Sequence, residues 1–147
     1  MAGLAGKGVA AVLNSVLGDA KKPLNILCLG AHCDDIEIGC GGSLLHILGE
    51  RRNVSVNWVV FASNPVRRQE AEAGATMFSE GARSLDLKIH DFRDGFLPTE
   101  PVRLKETFEK LKHEIPQPDV IFTHYRHDLH QDHRAVSDLT WNTFRNH

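Results

Sequence analysis

The sequence has few cysteines, no apolar run longer than a buried strand, and almost no excess of charge of either sign. Without a long apolar run, no transmembrane helix is expected. The three cysteines include no Cys-x-x-Cys pair, which argues against a disulfide framework and suits a reducing compartment, so we expect a cytoplasmic protein. A net charge of −2, with 24% charged residues, gives no electrostatic basis for binding nucleic acid or an anionic membrane.

The remaining composition is that of one globular domain. The 147 residues, 41% of them hydrophobic, are enough for a single core. Residues 1–22 are expected to be an N-terminal helical extension, because Ala and Gly are abundant there and apolar side chains recur at helical spacing. This segment lacks the basic start of a signal peptide. Residues 23–147 are expected to form the domain.

Strand-like and helix-like segments alternate through the domain. Strands are predicted over residues 25–31, 54–62, 85–92 and 119–124. Helices are predicted over residues 36–49 and 65–78, from residue 101 to the prolines at 116 and 118, and from about residue 131. This order predicts an α/β fold, in which helices cover both faces of a parallel sheet.

Two short clusters combine imidazoles with carboxylates, although about a hundred residues separate them: His32-Cys33-Asp34-Asp35 and His130-Gln131-Asp132-His133. The first cluster directly follows the first predicted strand, and the second opens the helix after the fourth strand. Ligands of open parallel sheets bind beyond the carboxyl ends of the strands. Both clusters are therefore expected at the same edge of the sheet.

The residue types in these clusters suit a catalytic zinc site. Imidazole and carboxylate are zinc ligands, and three protein ligands with an open fourth position are typical of hydrolytic centres. His130 and His133 share a helix face, so either is a candidate ligand and the other would stand beside it. Of Asp34 and Asp35, one would bind the ion and the other would accept a proton from the attacking water.

Several neighbouring residues are candidates for supporting roles. Asp128 and Asp132 are both close enough in sequence to fix the tautomer of an imidazole in the site. His124 and His127 lie near the expected edge and are better candidates than the remaining histidines. His46 is predicted to be structural, and surface positions are predicted for His90, His113 and His147. Cys33 is interpreted as a spacer between better-placed ligands.

Each cluster also has a simpler interpretation. A His-x-x-His pair on a helix is often only solvated, and Asp after a strand is often a helix N-cap. Both would have to hold at once, at one edge of the sheet, so the metal site is the better hypothesis. The glycines Gly39, Gly41 and Gly42 precede no Lys-Ser/Thr pair, which argues against a phosphate loop, and they are expected to let the first helix approach the sheet closely.

The two clusters belong to a longer set of motifs: Ala31-His32-Cys33-Asp34-Asp35, a glycine-rich continuation over residues 36–42, Arg67-Arg68-Gln69-Glu70, Asp94-Gly95-Phe96-Leu97 and His130-Gln131-Asp132-His133. From about residue 24 to residue 136, the chain resembles the PIG-L/LmbE-like family of zinc-dependent N-acetylglucosamine deacetylases. The resemblance implies a Rossmann-like, three-layer sandwich with a mostly parallel sheet. It also implies His32, Asp35 and His133 as zinc ligands, with Asp34 as the general base.

The same resemblance implies roles for the other motif residues. His130 would stabilise the oxyanion or protonate the leaving amine, and Asp132 would tune an imidazole. Arg67 and Asp94 would grip sugar hydroxyls, with Arg68 as an alternative to Arg67. Two features depart from the family pattern. Cys33 replaces the usual proline, and family members continue past the last motif. Two interpretations of the shorter chain stay open: an N-terminal portion of the fold, truncated at its C-terminus, or a shortened member with altered or absent activity.

The implied activity is zinc-dependent removal of an N-acetyl group from an N-acetylglucosamine-type sugar or glycoconjugate. One Zn²⁺ per chain is expected, with other divalent ions such as Fe²⁺ as alternatives. The expected partner is a small-molecule amino sugar, and the sequence leaves the oligomeric state open. Two alternatives are an amidase acting on another acyl-amine conjugate and a catalytically silent fragment that binds metal or sugar.

Overall fold

A computed structural model describes residues 17–145, in which strands and helices alternate. The strands, labelled β1 to β4, are Leu24–Gly30, Val54–Ala62, Ser84–Phe92 and Val120–Phe122. The helices, labelled α1 to α4, are Asp35–Glu50, Pro65–Phe78, Pro101–Glu114 and Gln131–Phe144, with a short 3-10 helix at Leu97–Thr99. No helix within the described residues is long and apolar enough to cross a membrane.

The four strands form a parallel sheet in the order β3-β2-β1-β4. β1 pairs with β2 along its whole length and with β4 from Ile26 to Cys28. Because neighbouring strands run in the same direction, the chain leaves all of them at one edge, here called the carboxyl edge. The segments that follow β1 and β4 therefore begin side by side.

Alternate residues of β1 point into two separate cores. Ile26 and Cys28 pack on one face of the sheet, whereas Leu27 and Leu29 pack on the other. Helices α1 and α2 cover the first face, with Ile36, Leu44, Ile47, Leu48, Ala71 and Ala75 buried there. Helices α3 and α4 cover the second, with Leu104, Phe108, Leu111, Val136 and Phe144. The predicted three-layer α/β fold is confirmed.

The predicted elements differ from the structure mainly at their ends. β2 and α2 have the predicted bounds, whereas β4 spans Val120–Phe122 instead of residues 119–124. Past β4, the Thr123 hydroxyl bonds that of Thr140 in α4, and the His124 ring accepts the N–H of Ala31. The predicted N-terminal helix and His147 lie mostly or wholly outside the described residues, and the boundary at residue 22 stays a prediction.

Gly41 of α1 packs against the neighbouring helix, which corrects the expected role of the glycines. A Cβ atom at Gly41 would lie 2.6 Å from Cε1 of Phe78 at the end of α2. The close approach is thus between two helices and not between helix and sheet. Gly39 and Gly42 would meet no atom within 4 Å, so no close contact requires glycine there.

We predict that Gly41→Ala and Gly42→Ala change stability in opposite directions. The new methyl at residue 41 displaces the Phe78 ring and destabilises the fold by about 1–2 kcal/mol, less than a full overpacking cost because alanine favours the helix. The methyl at residue 42 enters open space and stabilises the helix by up to about 1 kcal/mol. Urea unfolding measures both. Equal effects would contradict the Gly41–Phe78 contact.

Candidate metal centre

The carboxyl edge brings the two histidine–aspartate clusters together. His32 lies just past β1, Asp35 opens α1, and His133 lies in the first turn of α4. The backbone N–H of His32 donates to Oδ2 of Asp35 at 2.7 Å, which fixes the turn from β1 into α1. All three side chains are half-buried.

Three ligand atoms of these residues converge on one point. His32 Nδ1 lies 3.2 Å from His133 Nε2 and 3.3 Å from Asp35 Oδ2, and His133 Nε2 lies 3.4 Å from Asp35 Oδ1. A tetrahedral zinc ion with ligands at roughly 2.0–2.2 Å separates those ligands by about 3.3–3.6 Å. Two imidazoles and one carboxylate at these separations fit a single divalent cation.

His124, two residues past the end of β4, brings a further imidazole to this centre. Its ring stacks on that of His133 with centroids 3.9 Å apart, and its Nε2 lies 3.3 Å from Asp35 Oδ2. The same Nε2 accepts the N–H of Ala31 at 2.9 Å, so the backbone just after β1 engages its lone pair. The sequence indicated His124 as a candidate because it ends the fourth predicted strand. His127, the other candidate near the edge, instead contacts Tyr125.

Asp132 is fully buried and contacts His32 through its carboxylate. Its Oδ2 lies 3.2 Å from His32 Nε2 and accepts the N–H of Gly95 at 2.7 Å, while its Oδ1 accepts the N–H of Leu97 at 3.2 Å. The imidazole that this carboxylate holds is therefore that of His32. The two ring nitrogens of His32 face different groups, because Nδ1 faces Asp35 and His133.

His130 is the N-cap residue of α4. Its Nδ1 accepts the backbone N–H of Asp132 at 3.2 Å, which leaves Nε2 as its remaining ring nitrogen. Its ring centroid lies 4.7 Å from those of both His32 and His133. Asp128 holds the other side of this turn, since it accepts the N–H of His130 at 2.7 Å and lies 3.2 Å from His133 Nδ1.

Asp34 occupies the N-cap position of α1 but makes no capping hydrogen bond there. Its carboxylate instead lies 3.1 Å from the guanidinium of Arg67. Arg67 is held near the start of α2, where the Asn64 side chain accepts its backbone N–H. Arg68 donates to the carbonyl of Ile89 in β3, so Arg67 is the arginine that stands beside Asp34.

A pocket of about 330 Å³ opens next to these residues and is called here the His32 pocket. It is lined by His32, Cys33, Ala62, Ser63, Asn64, Arg67, Arg93 and Asp94. Asp94 is largely exposed, and its Oδ1 lies 3.2 Å from His32 Nε2. One of the three ligands, His32, therefore lines the same pocket as both residues expected to bind the substrate.

Known proteins resemble this chain in sequence and in structure. The sequence profile of the PIG-L family, described as GlcNAc-PI de-N-acetylase, matches residues 27–144. The chain belongs to the PIG-L family. It is also 29% identical over 133 residues to the uncharacterized deacetylase YaiS of Escherichia coli (strain K12), an alignment that covers 84% of this chain and 69% of YaiS.

Two solved structures share the fold of this PIG-L family chain. The conserved protein TT1542 from Thermus thermophilus is 26% identical with a TM-score of 0.64, covering 82% of this chain and 55% of that protein. The N,N'-diacetylchitobiose deacetylase from Pyrococcus horikoshii is 24% identical with a TM-score of 0.63, covering 93% and 57%. The chain thus spans little more than half the length of these structures.

The charges of this PIG-L family centre favour a cation. Burial alone would lower the pKa of His32, but its hydrogen bond to Asp35 and the nearby carboxylates of Asp132 and Asp94 raise that pKa to about 9. Burial would likewise raise the pKa of Asp35, yet its hydrogen bonds with the side chain and the backbone N–H of His32 hold that pKa well below its ordinary value. A positive charge is therefore stabilised where the ligand atoms converge.

Two residues near the centre have other roles. Cys33 is buried, and its thiol donates to the carbonyl of Ala62 at 3.5 Å. His90 is not the surface residue that the sequence predicted. Its ring stacks on Phe61 with centroids 5.7 Å apart, and burial lowers its pKa. The surface prediction was wrong because His90 lies on β3 with its side chain on the face of the sheet that α3 covers.

We predict that Asp132→Asn destabilises the protein by about 1–3 kcal/mol, because either amide orientation leaves the N–H of Gly95 or Leu97 facing another donor. Asp138→Asn is the matched control in the same helix, since Asp138 is exposed and only pairs with Arg126. That change should cost less than about 0.5 kcal/mol. Thermal unfolding measures both. Equal costs would refute the anchoring role of Asp132.

Proposed function

We propose that this chain carries the centre of a metal-dependent N-deacetylase that acts on an N-acetylglucosamine-type sugar or glycoconjugate. The observation that carries the proposal is the convergence of His32 Nδ1, Asp35 and His133 Nε2 within 3.2–3.4 Å of one another. Family membership and the deacetylases among the similar proteins support the same reaction class.

The ligand set His32, Asp35 and His133 is preferred over three other groupings whose ligand atoms lie within 4.8 Å of one another. In the first, His124 replaces His32, but its Nε2 already accepts the Ala31 N–H. In the second, His130 replaces Asp35, which would leave three neutral imidazoles and no anionic ligand. The third joins His32 to Asp94 and Asp132, but the Asp132 carboxylate already accepts the N–H groups of Gly95 and Leu97. Zn²⁺ suits the preferred donors, as do Fe²⁺ and similar ions.

A cation held by His32, Asp35 and His133 would supply Lewis acidity for acidifying water and polarising the carbonyl of the acetamide. Asp34 accepts the proton of the attacking water. It is suited to this role because its N-cap position points it out of the helix while no backbone N–H engages its carboxylate. The Arg67 guanidinium lies 3.1 Å from this carboxylate and itself lines the His32 pocket.

His130 acts on the other side of the acetamide. Its Nδ1 accepts the Asp132 N–H, so the neutral ring carries its proton on Nε2. That N–H donates to the developing oxyanion, a contact worth about 2.7–4 kcal/mol in comparable sites. The proton that Asp34 accepted from the water then passes to the leaving amine as the C–N bond breaks, and acetate departs while His130 stays neutral.

Asp132 is a positioning residue in this scheme. Its carboxylate accepts the Nε2–H of His32, which leaves the His32 Nδ1 lone pair for the ion. Gly95 and Leu97 both donate to this carboxylate, so the same buried side chain holds the loop after β3 and the ligand His32. Asp132 therefore orients a ligand and contacts no substrate atom.

The sugar is expected to bind in the His32 pocket. Arg67 and Asp94 both line it and supply a donor and an acceptor for sugar hydroxyls. The three cysteines of the chain are free thiols, which suits the cytoplasmic location that the sequence predicts. An amidase acting on a different acyl amine would use the same centre, so a substrate panel is part of the test.

We predict that zinc-loaded protein releases acetate from an N-acetylglucosamine conjugate and that Asp34→Asn lowers kcat by about 10²–10⁴-fold while the metal content stays constant. Asp91→Asn is the matched control, because Asp91 is another exposed aspartate paired with an arginine. It should retain activity. If Asp34→Asn keeps more than half the rate with its metal intact, Asp34 is not the general base. If neither the unmutated protein nor any variant releases acetate, the chain is instead a catalytically silent fragment that binds metal.

A further inference from the structure

The His32 pocket contains a guanidinium that the proposed reaction does not use. Arg93 lines the pocket together with His32, Arg67 and Asp94. It follows directly on β3, so the carboxyl edge of the sheet carries it to the metal centre. Its position makes Arg93 a candidate for binding the same substrate.

Arg93 carries a charge that its neighbours do not compensate. Within residues 17–145, arginine forms ion pairs at Arg67, Arg103 and Arg126. Arg67 is doubly paired, with Asp34 and with Glu70. The carboxylate next to Arg93 belongs to Asp94, which lies 3.2 Å from His32 Nε2 instead. The uncompensated positive charge of the pocket therefore belongs to Arg93.

The Arg93 side chain is also held in place. Its guanidinium lies 3.7 Å above the ring of Phe96, and the Phe96 N–H donates to the Arg93 carbonyl at 3.1 Å. Phe96 stands between Gly95 and Leu97, whose N–H groups both donate to buried Asp132. Stacking holds the plane of a guanidinium and leaves its in-plane N–H groups open to a ligand.

The geometry points to Arg93 as the binding residue for an anionic substituent, carboxylate or phosphate, on the amino-sugar substrate. A planar fork of N–H donors binds either oxyanion in a bidentate manner. The inference rests on the proposed function for the identity of the sugar. It adds that the preferred substrate is an acidic N-acetylated amino sugar and not a neutral one.

Binding is measured by isothermal titration of the zinc-loaded protein. The probes are neutral N-acetylglucosamine, its 1-phosphate and 6-phosphate, and N-acetylmuramic acid as the carboxylate. We expect at least one acidic sugar to bind tenfold or more tightly than the neutral sugar. Arg93→Gln should remove that preference, and Arg93→Lys should keep part of it. Arg52→Gln is the matched control, because it removes an exposed arginine between α1 and β2, at the opposite edge of the sheet, and should retain the preference.

The outcomes separate this inference from the proposed function. Equal affinities for neutral and acidic sugars, or a preference that Arg93→Gln does not reduce, overturn the role of Arg93 even if acetate is released. A preference lost in Arg93→Gln but kept in Arg52→Gln supports it even if no acetate is released, which would count against the reaction alone. Binding of no sugar overturns the inference.

Discussion

The buried carboxylate of Asp132 is the constraint on which the rest of the centre depends. It joins three parts of the chain, because it accepts N–H groups from the loop after β3, belongs to α4, and contacts the His32 ring that follows β1. An unpaired carboxylate is costly to bury, and these contacts compensate for that cost. They also determine which nitrogen of His32 faces the other ligands.

The parallel sheet explains why these contacts can form at all. β1 and β4 are neighbours although about ninety residues separate them, and both end at the carboxyl edge. The turn after β1 presents His32 and Asp35, and the segment after β4 presents His124 and the start of α4. The cores on both faces of the sheet hold the edge rigid, so the ligand separations follow from the fold.

Much of the fold is predictable from the sequence because it depends on local pattern. The apolar run of β2 and the Pro65 start of α2 determine their own bounds. The meeting of the two clusters is also predictable, since parallel strands share their carboxyl edge. Contacts that depend on the direction of a side chain are not predictable from the sequence. The sequence makes Asp132 a candidate partner of an imidazole but does not identify that imidazole as His32, and nothing in residue spacing indicates the packing of Gly41 on Phe78.

Anomalous diffraction from crystals grown with zinc tests the central claim most directly. The account predicts one peak at the carboxyl edge, bonded at roughly 2.0–2.2 Å to His32 Nδ1, an Asp35 oxygen and His133 Nε2. His124 Nε2 should remain on the Ala31 N–H. An ion held by Asp35, His124 and His133 with His32 unbound, or no ion at this edge, would contradict the account.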